Sequence, residues 1–118
     1  MTNKIFYLKS CSTCLRIIKG LDIDGSIELR DIKAELISEK ELDELAKIIG
    51  SYEALFSRKS QKYRPMGLHE QKLSEKDYRK FILVEYTFLK RPVFQIGGKV
   101  FAGNSKEVVE EVRKALTA

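Results

Sequence analysis

The chain has few of the residues that build a metal centre and no stretch that could cross a membrane. Its 118 residues include two cysteines, Cys11 and Cys14, and one histidine, His69. A four-coordinate zinc site usually takes four cysteine or histidine ligands, or three with one open position, so we expect no metal site within one chain. No apolar run approaches the roughly 20 residues that span a bilayer, so we expect no membrane association.

Other absences narrow the class of protein further. The N-terminal residues lead directly into an apolar segment, without the hydrophobic region and cleavage site of a secretory signal, so we expect a cytoplasmic location. Neither a GxGxxG nor a Walker pattern is present, which argues against a bound nucleotide. The formal net charge is +5, but the basic residues are not gathered in one block. This favours an anion site or an acidic partner surface over direct binding of nucleic acid.

Both cysteines stand where a strand pattern changes into a helix pattern. Residues 4–8 form a short apolar run typical of a buried strand, and residues 13–19 form a first helix that Gly20 is predicted to end. Cys11 and Cys14 have the spacing C-x-x-C. Because a helix start offers free N–H groups and the positive end of a dipole, Cys11 is expected to ionise more easily than an ordinary cysteine. Cys14 follows one turn later and could close a disulfide with Cys11.

Several simpler interpretations of this segment compete with redox chemistry. Two cysteines can be small buried apolar residues, but such residues would seldom fall at this spacing at a strand-to-helix turn. A structural disulfide would close a very small loop and stabilise little. In a reducing cytoplasm, a cysteine pair is more often catalytic or sensing than structural. The hydroxyls of Ser12 and Thr13 are expected to cap the helix.

The middle of the chain predicts another strand and several helices. Residues 26–32 alternate polar and apolar side chains, which indicates a second strand in a right-handed parallel βαβ unit. Ser38 begins a capping box, and Gly50 is predicted to end the helix that follows. Residues 52–56 predict a short helix, and Ser74 the start of a longer one. We expect His69, between them, to be a surface or partly packed residue.

The last third of the chain predicts a hairpin and a closing helix. Residues 89–96 lead into a third strand, the pair Gly97-Gly98 indicates a tight turn, and residues 99–102 form the partner strand. Asn104 is predicted to cap the last helix. We therefore expect one domain over residues 1–118, with a helical insertion at about residues 38–88 between a βαβ half and a ββα half. Such an α/β fold, a four-stranded mixed sheet flanked by helices with a C-x-x-C pair after the first strand, is thioredoxin-like, or glutaredoxin-like.

These segments resemble the arsenate reductase (ArsC-type) family, which also contains the Spx regulators. The resemblance runs nearly end to end and rests on several short motifs in the family's order and spacing. They are Cys11 at the first strand–helix turn, residues 30–33, residues 56–59 with Tyr63, residues 90–93, and the hairpin leading into residues 107–109.

The resemblance implies a role for each of several residues. Cys11 would be the nucleophile, and Arg58 and Arg91 would hold an anionic group beside its sulfur. Pro92, after a cis peptide bond, would form the wall of the site together with Ser12 and Thr13.

In the family a third arginine completes the oxyanion site. Its position falls near Gly103 or Asn104 in this chain, where no arginine stands.

Two functions from different classes follow from the resemblance. The first is a cytoplasmic, monomeric thiol oxidoreductase in which Cys11 attacks arsenate, or a disulfide such as a glutathione adduct, and Cys14 resolves the adduct. It would hold no cofactor and would take electrons from glutathione with glutaredoxin or from thioredoxin. The second is an Spx-like regulator, in which the cysteine pair is a redox switch and the protein binds the RNA polymerase alpha subunit without turnover.

Overall fold

The computed structural model of the protein describes residues 3–117. Its regular elements are β1 (Lys4–Tyr7), α1 (Ser12–Leu21), β2 (Glu28–Asp31), α2 (Glu39–Ile49), α3 (Glu75–Val84), β3 (Val93–Ile96), β4 (Lys99–Ala102) and α4 (Lys106–Thr117). Short 3₁₀ helices lie at Glu53–Leu55, Leu68–Glu70 and Tyr86–Phe88. Within residues 3–117, no helix combines the length and the apolar character that crossing a membrane requires.

Contacts along the backbone divide the chain into two compact units. The first unit comprises the residues up to Leu36 and those from Arg91 onward, and the second comprises Ile37–Lys90. The second unit corresponds closely to the helical insertion predicted at about residues 38–88. That the whole chain behaves as one domain stays a prediction.

The first unit is built on a four-stranded mixed sheet in the order β2-β1-β3-β4. β1 runs parallel to β2, with Ile5 opposite Leu29, and antiparallel to β3, with Ile5 opposite Phe94. β3 and β4 form the predicted hairpin, in which Gly97 and Gly98 both adopt positive φ angles of 57° and 81°. Glycine adopts such angles at little cost, which favours this pair in the turn. The predicted mixed sheet is confirmed.

The core of this unit joins the sheet to α1 and α4. Its fully or nearly buried side chains are Ile5, Tyr7, Cys14, Leu21, Ile27, Phe94, Ile96 and Val112. Cys14 has no exposed surface and packs in this core as a small apolar residue would. Packing of the apolar stripe of α1 therefore fixes the start of that helix relative to the end of β1.

The second unit contains two helices that begin as predicted, with a capping box at Ser38 and a helix start at Ser74. Ser38 accepts a hydrogen bond from the backbone N–H of Glu41, and Ser74 accepts one from that of Asp77. Gly50 ends α2 in the left-handed region, at a φ of 113°. These predictions are confirmed, because each depends on residues only a few positions apart.

Two predicted helix boundaries are wrong. α1 does not end at Gly20 but continues to Leu21, and Asp22 takes the left-handed position after it, at a φ of 52°. The buried side chain of Leu21 favours the extra residue, since its burial stabilises more than an early glycine cap would. At α4, the Ser105 hydroxyl, and not Asn104, accepts the capping hydrogen bond, from the N–H of Val108 at 3.2 Å.

Candidate active site around Cys11

Cys11 occupies the N-cap position of α1. Its backbone is extended, with φ −93° and ψ 106°, and its carbonyl accepts the first helical hydrogen bond from the N–H of Leu15 at 3.1 Å. Its own N–H donates to the carbonyl of Leu8, the residue that follows β1, at 2.9 Å. Ser12 and Thr13 consequently lie inside the first turn, so the prediction that they cap the helix is wrong.

The start of α1 differs chemically from the starts of the other helices. α2, α3 and α4 each begin with a serine hydroxyl that accepts a hydrogen bond from the backbone, whereas the Cys11 side chain makes no capping hydrogen bond. The first turn of α1 also contains no acidic residue. Because a neutral thiol is a weak acceptor, the N–H groups of this turn remain available to a negative charge. The ionised sulfur of Cys11 supplies such a charge.

The surroundings lower the pKa of Cys11 below its ordinary value. Burial is the largest single influence and would raise the pKa, but hydrogen bonds from the backbone N–H and the thiol of Cys14, together with the influences that follow, outweigh it. The charge of Arg91 and the N–H of Thr13 act in the same direction as Cys14. Since Cys11 is only partly buried, the favoured thiolate is accessible to a reactant.

The pKa of Cys14 shifts in the opposite direction. Burial raises it to about 11, with further upward contributions from the hydrogen bond to Cys11 and from the negative charge there. A backbone hydrogen bond with Leu8 and the charge of Arg91 oppose the rise only in part. Both cysteines are free thiols. The pair therefore combines an accessible, acidic thiol with a buried, protonated one.

Arg91 is the cation whose charge acts to lower the pKa of both Cys11 and Cys14. It is partly buried and precedes Pro92, and the peptide bond between them is cis, as predicted. The Nη1 atom of Arg91 is buried and has no hydrogen-bond partner among the described residues. Leaving a buried guanidinium donor without a partner costs free energy. An anion that accepts a hydrogen bond from Nη1 would therefore be stabilised.

A backbone hydrogen bond joins the segment before β3, which contains Arg91, to the loop after β4. The carbonyl of Pro92 accepts a hydrogen bond of 3.0 Å from the N–H of Gly103, whose φ is 111°. Gly103 and Asn104 thus lie next to the Arg91–Pro92 segment.

Arg58 belongs to the second unit and is already engaged there. Its Nη2 atom donates to Glu53 Oε2 at 2.7 Å and to the Tyr78 hydroxyl at 3.0 Å, and its guanidinium lies 5.7 Å from the centroid of the Tyr78 ring. About half of the Arg58 side chain is exposed. Its predicted approach to Cys11 stays a prediction.

The comparison with protein families decides the relationship. The ArsC family pattern matches residues 6–112 of this chain. The chain belongs to the ArsC family. The match includes both cysteines, Arg58 and Arg91. No curated protein matches the chain in sequence.

Solved structures of proteins from several bacteria share the fold of this chain. An arsenate reductase from Vibrio cholerae is 20% identical, with a TM-score of 0.74 over 95% of this chain and 98% of that one. An arsenate reductase (ArsC) related protein from Brucella melitensis is 25% identical, with a TM-score of 0.70 over 94% and 93%. A Staphylococcus aureus protein is 27% identical, with a TM-score of 0.74 over 92% and 96%. The thioredoxin-like fold is thereby confirmed.

In this ArsC-family chain, the structure adds one residue that sequence reasoning missed. Asp31 Oδ1 accepts hydrogen bonds from the backbone N–H of Lys9 at 3.4 Å and from that of Lys33 at 3.3 Å. The carboxylate thereby holds the loop between β1 and Cys11 against the end of β2. Its place in the 30–33 motif was the available signal, but the motif does not say which atoms it contacts.

His69 makes its described contacts within the second unit. The imidazole Nε2 of His69 lies 3.7 Å from Glu70 Oε1 in the second unit, and its ring contacts that of Tyr63. Across residues 3–117, no cluster of three or more histidine, cysteine, aspartate or glutamate side chains could hold a metal ion.

We expect Cys11 to lose its proton at a lower pH than Cys14. Since alkylation requires the thiolate, the rate of modification should rise with pH and level off above the Cys11 pKa, below the ordinary cysteine range. Ultraviolet titration of thiolate absorbance in Cys14→Ser and Cys11→Ser would assign the two values. A Cys11 pKa at or above that of Cys14 would contradict the described site.

Proposed function

We propose that the protein is a thiol-dependent reductase in which Cys11 is the nucleophile and Cys14 resolves the adduct. The observation that carries this proposal is the uncapped start of α1, where an accessible sulfur meets free N–H groups and the charge of Arg91. Such an environment favours the thiolate, which is the reactive form. Membership of the ArsC family supports the same chemistry.

The first step with a disulfide substrate is attack by the Cys11 thiolate on one sulfur of a glutathione mixed disulfide. The substrate S–S bond breaks, and the departing sulfur leaves as a thiolate that takes a proton from solvent. Cys11 is now in a mixed disulfide, so it carries no negative charge and no longer accepts a hydrogen bond from the Cys14 thiol. Since both interactions raise the pKa of Cys14, that pKa falls when Cys14 is needed as a nucleophile.

In the second step the Cys14 thiolate attacks the Cys11 sulfur. The mixed disulfide breaks, the second substrate thiol is released, and a Cys11–Cys14 disulfide remains. The substrate has gained two electrons and the cysteine pair has lost two. Glutathione with glutaredoxin, or thioredoxin, returns them and restores both thiols.

Arsenate would follow an analogous course. The Cys11 thiolate attacks arsenic, and one arsenate oxygen departs as water after protonation. Attack by Cys14 or glutathione on the Cys11 sulfur then breaks the sulfur–arsenic bond, and arsenic keeps the electron pair and leaves as arsenite. Arg91, whose Nη1 atom has no partner among the described residues, would bind the oxyanion; that Arg58 joins it stays a prediction.

We expect arsenate to be a poorer substrate than a glutathione mixed disulfide. No arginine stands at Gly103 or Asn104, which lie beside the Arg91–Pro92 segment. A hydrogen bond to a charged group contributes about 1.5–3 kcal/mol, so the missing donor weakens oxyanion binding by roughly ten- to a hundred-fold. A disulfide needs less charge neutralisation.

The substitution Asn104→Arg tests this expectation. It should raise kcat/KM for arsenate by roughly ten-fold or more while changing that for the disulfide little. Asn104→Gln is the matched control, because it lengthens the side chain without adding charge. Efficient arsenate turnover by the wild-type protein would refute the expectation.

One observation also favours the Spx-like alternative. Cys14 is part of the hydrophobic core, so a disulfide to Cys11 would alter core packing, as a redox switch requires. Binding of purified RNA polymerase alpha subunit to the reduced and oxidised protein would test this function. Redox-dependent binding without turnover of either substrate would replace the reductase proposal.

A further inference from the structure

Leu15 is an apolar residue of α1 whose side chain does not pack in the core. The core-facing stripe of that helix consists of Cys14, Ile17, Ile18 and Leu21. Leu15 lies outside the stripe and is 46% exposed. A single exposed leucine is ordinary on a protein surface, so its meaning depends on where it lies.

Leu15 lies one helical turn from the candidate nucleophile. Its N–H donates to the Cys11 carbonyl at 3.1 Å, which makes the two residues neighbours along the helix surface. Side chains in a helix lean toward its N-terminus, so a residue covers the surface over the preceding turn. The Leu15 side chain therefore borders the surface from which a reactant approaches Cys11.

Basic side chains predominate in the segment around this leucine, and the Asp31 carboxylate lies beside the Lys9 N–H at 3.4 Å. The sequence contains no aspartate or glutamate before Asp22. Lys9, Arg16 and Lys19 are exposed, and none of them forms an ion pair with another residue in the described part of the chain. The approach to Cys11 thus combines an apolar contact with unneutralised positive charge.

We propose that Leu15, with Lys9, Arg16 and Lys19, forms a docking surface for a protein dithiol that reduces the Cys11–Cys14 disulfide. This inference rests on the proposed function. The partner's reactive cysteine would be bordered by apolar and acidic residues, complementary to Leu15 and to the three cations. A small thiol such as glutathione has no apolar group large enough to use Leu15.

Burial of Cys14 determines where that partner must dock. Because Cys14 has no exposed surface, the partner thiolate attacks the Cys11 sulfur. The Cys11–Cys14 bond breaks, a mixed disulfide forms between Cys11 and the partner, and Cys14 leaves as a thiolate that takes a proton. The partner's second thiol then attacks its own bonded sulfur and releases the Cys11 thiolate. The partner is oxidised to its disulfide, and the cysteine pair gains two electrons.

The test compares reduction of the oxidised protein by a large and a small dithiol. A thioredoxin of acidic isoelectric point, recycled by NADPH and its reductase, is the protein probe, and dithiothreitol is the small one. Leu15→Ser should lower the second-order rate constant for thioredoxin by about ten-fold, because a partly buried leucine contact is lost. The rate with dithiothreitol should change less than about two-fold. Leu29→Ser, at 45% exposure on β2, is the matched control and should change neither rate.

Charge reversal tests the rest of the surface. The double variant Arg16→Glu/Lys19→Glu should slow reduction by thioredoxin at low salt, and the difference from wild type should shrink at high salt. If Leu15→Ser slows reduction by dithiothreitol as much as reduction by thioredoxin, the inference is overturned, because Leu15 would then act on Cys11 itself. No slowing of thioredoxin would overturn it as well. If the wild-type protein forms no Cys11–Cys14 disulfide, the proposed function fails and the docking surface fails with it.

Discussion

Replacing Cys11 by serine is expected to lower kcat/KM for both the glutathione mixed disulfide and arsenate by at least about a thousand-fold, because no other group can begin the reaction. A serine hydroxyl at the N-cap would accept the backbone hydrogen bond that the thiol does not make, so the variant should fold normally. Circular dichroism and thermal unfolding would verify this.

The companion variant Cys14→Ser separates the two steps. It should release one equivalent of thiol and then stop, with the adduct remaining on Cys11. Ser10→Ala, in the exposed loop before Cys11, is the control and should keep both steps. Turnover that survives Cys11→Ser would show that the reaction begins elsewhere.

Replacing Arg91 by alanine is expected to have the second largest effect. It removes a positive charge that lowers the pKa of Cys11, so that pKa should rise and less thiolate should be present at neutral pH. It also removes the unpartnered donor, Nη1, available to an anionic substrate. Loss of a charge-assisted donor should lower kcat/KM for arsenate by roughly ten- to a hundred-fold and that for the disulfide by less.

Two matched variants make the Arg91 result specific. Arg91→Lys keeps the charge but not the planar pair of donors, so it should preserve more of the pKa shift than of the arsenate activity. Arg113→Ala removes the same charge from an arginine paired with Glu110 in α4, and should leave both properties unchanged. If Arg91→Ala changes neither the Cys11 pKa nor either activity, the described site is wrong.

The parts of the fold that the sequence predicted are those set by neighbouring residues. The capping box at Ser38, the helix start at Ser74 and the Gly97-Gly98 turn each depend on a few consecutive positions. The end of α1 and the cap of α4 were placed one or two residues away from their observed positions. In α1 the burial of Leu21, a tertiary effect, decided the outcome, and no local pattern encodes it.

The candidate site likewise contains features that the sequence predicted and contacts that depend on tertiary packing. The positions of Cys11 and Cys14 at a strand–helix junction followed from periodicity, and Arg91 and Pro92 came from the family resemblance. The pairing of Arg58 with Glu53 and Tyr78 depends on how distant segments pack, so the sequence could not show it. Leu15 lay within the predicted first helix, and only the structure shows that its side chain is exposed.

Under the proposed function, Cys11 attacks the substrate and Cys14 of the same chain resolves the adduct. Mass spectrometry of the fully reduced protein after reaction with one equivalent of a glutathione mixed disulfide tests it most directly. We expect a monomer that has lost two hydrogens, a Cys11–Cys14 linkage in its peptide map, and release of both substrate thiols. A glutathione adduct that persists on Cys11 while Cys14 stays free, or no reaction at either cysteine, would contradict it.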